Sequence, residues 1–276
     1  MGYAEINGIK IFYEILGEGY PVVFVHGFGG DRTEWFVQGP AISEKFKVIV
    51  FDNRGSGKSD RPNHPYTMEI YSDDIADLMD YLKIDKAHVI GVSFGGMIVL
   101  NFVLRHPNKV NKLVLINTFA GFPNQQGITM YKNGLIDLYH KKLKDPAESF
   151  FISAKNGFTR NFWKQMKEDP KKKFYGLWSA DDLIEHSITD IQTPQDIENA
   201  ANAIAGHNVI ERLNEIKSET LFLCANKDKI SPVLANEKIH ASIPNSVFKI
   251  IEEAGHDSKL EKAPEVNNAI LEFLED

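Results

Sequence analysis

The chain of 276 residues has a single cysteine, Cys224, so no internal disulfide can form. Cys224 sits within an apolar strand pattern, which reads as a buried, inert thiol. No Cys-x-x-Cys or His-Glu-x-x-His spacing occurs, so no metal is expected. Positive charge is in deficit: 31 Lys and Arg stand against 38 Asp and Glu, a net charge of −7. That balance argues against a nucleic-acid partner. The one basic run, Lys171 to Lys173, reads as a solvated helix end. No apolar stretch reaches the length of a membrane span, so no membrane partner is expected. The opening MGYAEING lacks the apolar core of a signal peptide, and a cytoplasmic location is the expectation. Repeats and low-complexity tracts are also missing.

What is present is ordered punctuation. Tyr3 to Ile6 and Ile9 to Ile15 alternate around Asn7-Gly8, which predicts a hairpin. Pro21 to Val25 and Lys47 to Phe51 are continuous apolar runs, the pattern of strands buried on both faces. Met68 to Leu82 carries apolar residues at helical spacing with an acidic opposite face. Ala87 to Val92 and Glu219 to Ala225 predict further strands, and Ser246 to Ile251 the last. Ala263 to Leu274 predicts the closing helix.

Three of these strands end in residues suited to chemistry. After Val25 comes His26-Gly27-Phe28-Gly29-Gly30. Glycines there let backbone N–H groups turn towards a ligand, while His26 bonds the local backbone. After Phe51 comes Asp52-Asn53-Arg54-Gly55-Ser56-Gly57. It lacks Gly-x-Gly-x-x-Gly spacing, so no nucleotide site is expected. Asp52 and Arg54 read as an ion pair shaping that loop. After Val92 comes Ser93, flanked by Gly91 and Gly95, and Phe94 to His106 reads as a helix. Gly-x-Ser-x-Gly on a strand–turn–helix is a nucleophile elbow, which presents the serine hydroxyl at the carboxyl edge of a sheet.

A serine hydroxyl needs a base, and the base needs an orienting acid. Asp228 follows the strand ending at Ala225, and His256 follows the one ending at Ile251. Both lie in loops beyond strand ends, where such groups are displayed. Asp257 adjoins His256, but adjacent side chains point apart, so it is not assigned the orienting role. The other histidines lack a supporting motif.

The motifs HGFGG at 26–30, FDNRGSGKSDRP at 51–62, GVSFGG at 91–96, ANKDKISP at 225–232 and AGHDSKLEKAPEV at 254–266 together resemble the α/β-hydrolase superfamily. The branch they look most like holds esterases, enol-lactonases and cofactor-free haloperoxidases. The resemblance covers nearly all of the chain outside residues 120–212. It implies an α/β-hydrolase fold: a mostly parallel central sheet with helices on both faces and a helical cap insertion. The core would comprise residues 1–119 and 213–276, and the cap residues 120–212. It implies a triad of Ser93, Asp228 and His256, with backbone N–H groups of Phe28 and Phe94 as the oxyanion hole. Some members carry the acid one strand earlier, where this chain has the non-ionisable Asn117. The family often has glycine where Asn226 stands, and asparagine tolerates the same left-handed backbone.

The function so implied is hydrolysis of carboxylic esters or lactones with small to medium acyl groups. No cofactor is implied. The partner would be a small-molecule ester or lactone, and the protein a monomer or homodimer. Carbon–carbon hydrolysis of ring-cleavage diketones on the same triad is an alternative, and a small-molecule receptor on a hydrolase fold is the non-enzyme alternative. Dehalogenases and epoxide hydrolases use an Asp nucleophile, which Ser93 disfavours. The insertion is rich in aromatics, among them Phe122, Tyr131, Phe150, Phe158, Phe162, Trp163, Phe174 and Trp178. Most are expected to pack the insertion's own core, with some lining an apolar pocket over Ser93.

Overall fold

The computed structural model describes residues 1–121 and 125–276. Among these, eight strands form one sheet. They are β1 (Gly2–Ile6), β2 (Ile9–Leu16), β3 (Pro21–Val25), β4 (Lys47–Phe51), β5 (Ala87–Val92), β6 (Val110–Ile116), β7 (Glu219–Ala225) and β8 (Ser246–Ile251). Their spatial order is β1-β2-β4-β3-β5-β6-β7-β8. β2 pairs antiparallel with both β1 and β4, and every later pair is parallel. The hairpin turns at Asn7 and Gly8, both at positive φ (50° and 73°), as a two-residue turn between twisted strands requires.

The helices are α1 (Gln38–Ser43), α2 (Met68–Tyr81), α3 (Phe94–Arg105), α4 (Gln125–Lys142), α5 (Pro146–Gly157), α6 (Arg160–Glu168), α7 (Ala180–Ser187), α8 (Pro194–Gly206), α9 (Val233–Ser242), α10 (Ser258–Glu261) and α11 (Ala263–Glu275). Alternation along the strands divides the core in two. Val23 and Val25 of β3 face a cluster containing Ile75, Ile98, Phe102 and Ile239. Val22 and Phe24 face Trp35, Ile42, Val266 and Ile270. Both faces of the sheet are therefore covered, which is why its central strands read as unbroken apolar runs. Among the described residues, five helices, α4 to α8, lie between β6 and β7. None of the described helices is long and apolar enough to cross a membrane.

The chain steps from β3 to β4 on one side, then returns to β5 on the other. The loops leaving β3 and β5 flank that reversal. In open α/β sheets, ligands bind beyond the strand ends at such a point.

One loop expectation is corrected. Asp52 and Arg54 do not pair. Asp52 binds Arg32, whose Nη1 lies 2.9 Å from Oδ2, and Arg54 makes two 2.6 Å bonds to Asp74 of α2. Each pairs instead with a residue that the fold brings from another element. Asn226 is not in the left-handed region. Its side chain instead donates to Glu252 and accepts the Glu253 N–H at 2.8 Å, fastening the loop after β8.

Candidate active site

Ser93 adopts φ 52° and ψ −116°, a conformation an L-residue enters at a cost in strain. Its surroundings fix it there. The Ser93 N–H donates to Ile116 O at 2.9 Å, and Thr118 Oγ1 donates to Ser93 O at 2.6 Å. A Cβ on Gly91 would lie 2.5 Å from Gly95 O, and one on Gly95 would lie 2.1 Å from Val25 O. No side chain larger than hydrogen fits either place without backbone movement. Phe94 is the first residue of α3, so its N–H has no acceptor within the helix.

The β3 loop lies opposite. His26 Nε2 accepts the Asn53 N–H at 3.0 Å, so its Nδ1 carries the proton and donates to Gly27 O at 2.8 Å. His26 thus bonds the local backbone, as its place in the glycine loop suggested. Among the described residues the Phe28 N–H makes no hydrogen bond. The Phe28 and Phe94 rings meet edge-on at 5.3 Å.

Asp228 and His256 come together from separate strands, His256 Nδ1 lying 2.7 Å from Asp228 Oδ2. The Asp228 side chain is sealed from solvent, and its Oδ1 accepts the N–H groups of Ile230 (2.7 Å) and Ser231 (2.9 Å). Asn117, at the end of β6, holds the same assembly from below. Its Nδ2 donates to His256 O at 2.7 Å, and its Oδ1 accepts the Ala225 N–H at 2.9 Å. One buried amide therefore ties the loop of His256 to the strand that carries Asp228. Ser93 and His256 line one cavity of about 740 Å³ together with Phe28, Tyr131, Leu135 and Leu138. Among the described residues the Ser93 hydroxyl makes no hydrogen bond, to His256 or otherwise. Catalytic bonds in unliganded enzymes are often long and tighten with substrate.

Asp257 does not approach His256's partner position. Its Oδ1 faces Lys259 Nζ at 3.3 Å, and its N–H donates to Gly157 O at 2.7 Å. Burial pushes the Tyr131 hydroxyl up to about 12, with Asp257 and Glu34 adding to the effect. Burial pushes the Cys224 thiol well above its usual range, consistent with an inert core group. Among the described residues no three His, Cys, Asp or Glu side chains converge as metal ligands would.

The aromatics of the insertion divide between two tasks. Phe158, Phe162, Phe174 and Trp178 pack on one another in a third cluster with buried Met166, which the insertion shares with Val37, Leu260 and Ala263 outside it. Tyr131 instead packs on Phe28 in the wall of the Ser93 cavity. Phe150 and Phe158 also line an adjoining cavity of about 280 Å³. Phe122 lies outside the described residues. The sequence carried no signal for the roles of Glu34 and Lys259, and marked Asn117 only as non-ionisable where some members carry the acid. Glu34 and Lys259 lie in short helical turns with no local mark of their contacts, and nothing local marks Asn117 as buried.

A family model described as the α/β hydrolase fold matches residues 20–263. The chain belongs to that family. It is 27% identical over 272 residues to "Putative carbamate hydrolase RutD" of Caulobacter segnis, covering 96% of each chain. It is also 27% identical over 284 residues to 2-hydroxy-6-oxononadienedioate/2-hydroxy-6-oxononatrienedioate hydrolase of Comamonas testosteroni, covering 98% of this chain and 92% of that one. Among solved structures, a thermophilic esterase from Thermogutta terrifontis superposes with a TM-score of 0.79 at 27% identity, covering 97% of this chain and 93% of the other.

Proposed function

We propose that this α/β hydrolase cleaves carboxylic esters or lactones with small to medium acyl groups through an acyl-enzyme on Ser93. The observation that carries the proposal is the 2.7 Å bond between His256 Nδ1 and Asp228 Oδ2 beside the cavity that Ser93 lines. With Nδ1–H held by Asp228, the basic lone pair of the neutral ring is on Nε2. Ser93 Oγ attacks the carbonyl carbon and His256 takes its proton. The carbonyl electron pair moves to oxygen, where the N–H groups of Phe28 and Phe94 stabilise it. Collapse expels the alcohol, which receives the proton from His256. Water then attacks the acyl-enzyme with His256 as base, releasing the acid and free Ser93.

Residues 120–212 serve in this proposal as a cap over Ser93. The packing of Tyr131 against Phe28 supports that role. A second substrate class is carbon–carbon hydrolysis of ring-cleavage diketones, supported by the likeness to the Comamonas testosteroni protein. A purified-protein panel of short-chain p-nitrophenyl esters, γ- and δ-lactones, aryl carbamates and vinylogous diketones tests the choice. Esters or lactones are expected to turn over fastest. Turnover confined to diketones would replace the ester assignment, and turnover of none would overturn it.

A further inference from the structure

An ion pair between a buried lysine and a half-buried glutamate, outside the proposed triad, joins the two loops on which that chemistry depends. Glu34 Oε2 accepts the Gly27 N–H at 2.6 Å, the amide directly preceding Phe28. Its Oε1 lies 3.0 Å from Lys259 Nζ. Lys259 is 1% exposed and also faces Asp257, the neighbour of His256, at 3.3 Å. Burial opposes its charge, but Glu34 and Asp257 outweigh that and raise it to about 12, so the ammonium persists at neutral pH. The Lys259 carbonyl is fixed in turn by Gln38 Nε2 at 2.7 Å. The glycine loop wraps tightly on the carboxylate, for a Cβ on Gly30 would lie 3.0 Å from Glu34 Oε2.

We propose that Glu34 and Lys259 are positioning residues, which lock the loop 26–30 so that the Phe28 N–H faces the carbonyl oxygen of a substrate on Ser93. The inference rests on the serine mechanism proposed above. Glu34 supplies the acceptor that holds the Gly27 peptide. Lys259 supplies the cation that neutralises Glu34. Without it, Glu34 and its neighbour Asp257 would stand uncompensated beside a site where negative charge develops, opposing the oxyanion. The pair thus reconciles a carboxylate anchor with an anion-stabilising loop.

The test uses the full-length protein, a p-nitrophenyl ester and an alkyl trifluoromethyl ketone. The ketone carbon bonds Ser93 Oγ, the Ser93 proton passes to His256, and the carbonyl electron pair becomes an oxyanion. Removal of one oxyanion donor costs roughly 10²–10³-fold in kcat. Misplacing one through Glu34→Ala should lower kcat about ten- to a hundredfold, with KM little changed and ketone affinity falling in parallel. Glu34→Gln retains an acceptor for Gly27 and should fall less. Lys259→Met should fall furthest, and adding Glu34→Gln to it should restore part of the loss by removing one of the two carboxylates left uncompensated. A purely structural pair would regain only stability in the double variant, so thermal melts are read beside kcat and ketone affinity, which a structural role would leave unchanged in the folded protein. The inference is overturned if both Glu34 variants keep wild-type kcat and ketone affinity, or if the double variant is no better than Lys259→Met. Should Lys259→Met fail to fold, the two Glu34 variants decide. Ser93→Ala is the control: ester turnover surviving in it would defeat the serine mechanism itself, whereas loss in Ser93→Ala with normal Glu34 variants defeats only the positioning role.

Discussion

Asp228→Asn should inactivate the enzyme while leaving it folded, because of how the Asp228 oxygens are divided. Oδ1 accepts two backbone N–H groups, from Ile230 and Ser231, and Oδ2 faces His256 Nδ1. An asparagine has only one oxygen. If its NH2 group faced the two backbone donors, both would lose their acceptor in a buried place, at about 1–3 kcal/mol each. The amide oxygen therefore takes the Oδ1 position, and the NH2 group points at His256. Nδ1 must then accept, so the ring proton moves to Nε2, where it faces Ser93. The ring can no longer take the serine proton. The corresponding change in a serine protease triad costs about 10⁴-fold in kcat, and a loss of that order is expected here. Thermal stability should change little, since the backbone bonds survive. Asp228→Ala should be equally inactive and less stable, because it leaves both N–H groups unpaired. Steady-state ester hydrolysis and thermal melts of the three proteins make the comparison. An Asp228→Asn enzyme within tenfold of wild type would refute the tautomer argument. So would an Asp257→Asn enzyme more damaged than Asp228→Asn.

Two further predictions concern the cavity and the core. Each methylene of an acyl chain buried in the 740 Å³ cavity should contribute about 0.8 kcal/mol, roughly fourfold in kcat/KM, until overpacking reverses the trend. A flat profile from acetyl to palmitoyl p-nitrophenyl esters would show that the cap does not bound the acyl site. Burial lowers the pKa of His207 from its ordinary 6.5 to about 4. Its two nitrogens are both engaged as a neutral ring, one accepting from Asn101 Nδ2 and the other donating to Phe119 O, each at 2.9 Å. Between those pKa values the unfolded chain binds a proton that the folded one does not. Its contribution to stability is therefore whole above pH 6.5 and declines as pH falls towards 4, by about 3 kcal/mol at most. His88, lowered to about 4 by burial beside Lys112, adds in the same direction. Denaturation midpoints from pH 8 to 4 should show a shallower decline in His207→Gln; an unaltered slope would contradict this.

The parts of the molecule legible in sequence are those governed by local chemistry. Asn7-Gly8 needs its own backbone, and Gly91 and Gly95 need theirs. The unbroken apolar runs of β3, β4 and β5 follow from burial on both faces. Asp228 and His256 were identifiable because each follows a strand end, and the sheet order then brings those ends together. The illegible parts are set by distant partners. Arg54 reaches Asp74, not Asp52, because α2 packs beneath the loop after β4. Lys259 lies in a run, SKLEK, indistinguishable from a solvated helix. Its burial depends on Glu34, 225 positions earlier. The aromatics of the insertion likewise carry no local mark separating those that stack around Met166 from Tyr131 in the cavity wall.

Intact-protein mass spectrometry after treatment with a fluorophosphonate asks whether Ser93 is the residue that forms the covalent intermediate. One adduct is expected on the native protein, mapped by peptide analysis to Ser93, with ester turnover lost in proportion to labelling. A folded Ser93→Ala protein should show neither adduct nor turnover. An adduct on another residue, or undiminished turnover by Ser93→Ala, would contradict the assignment to Ser93.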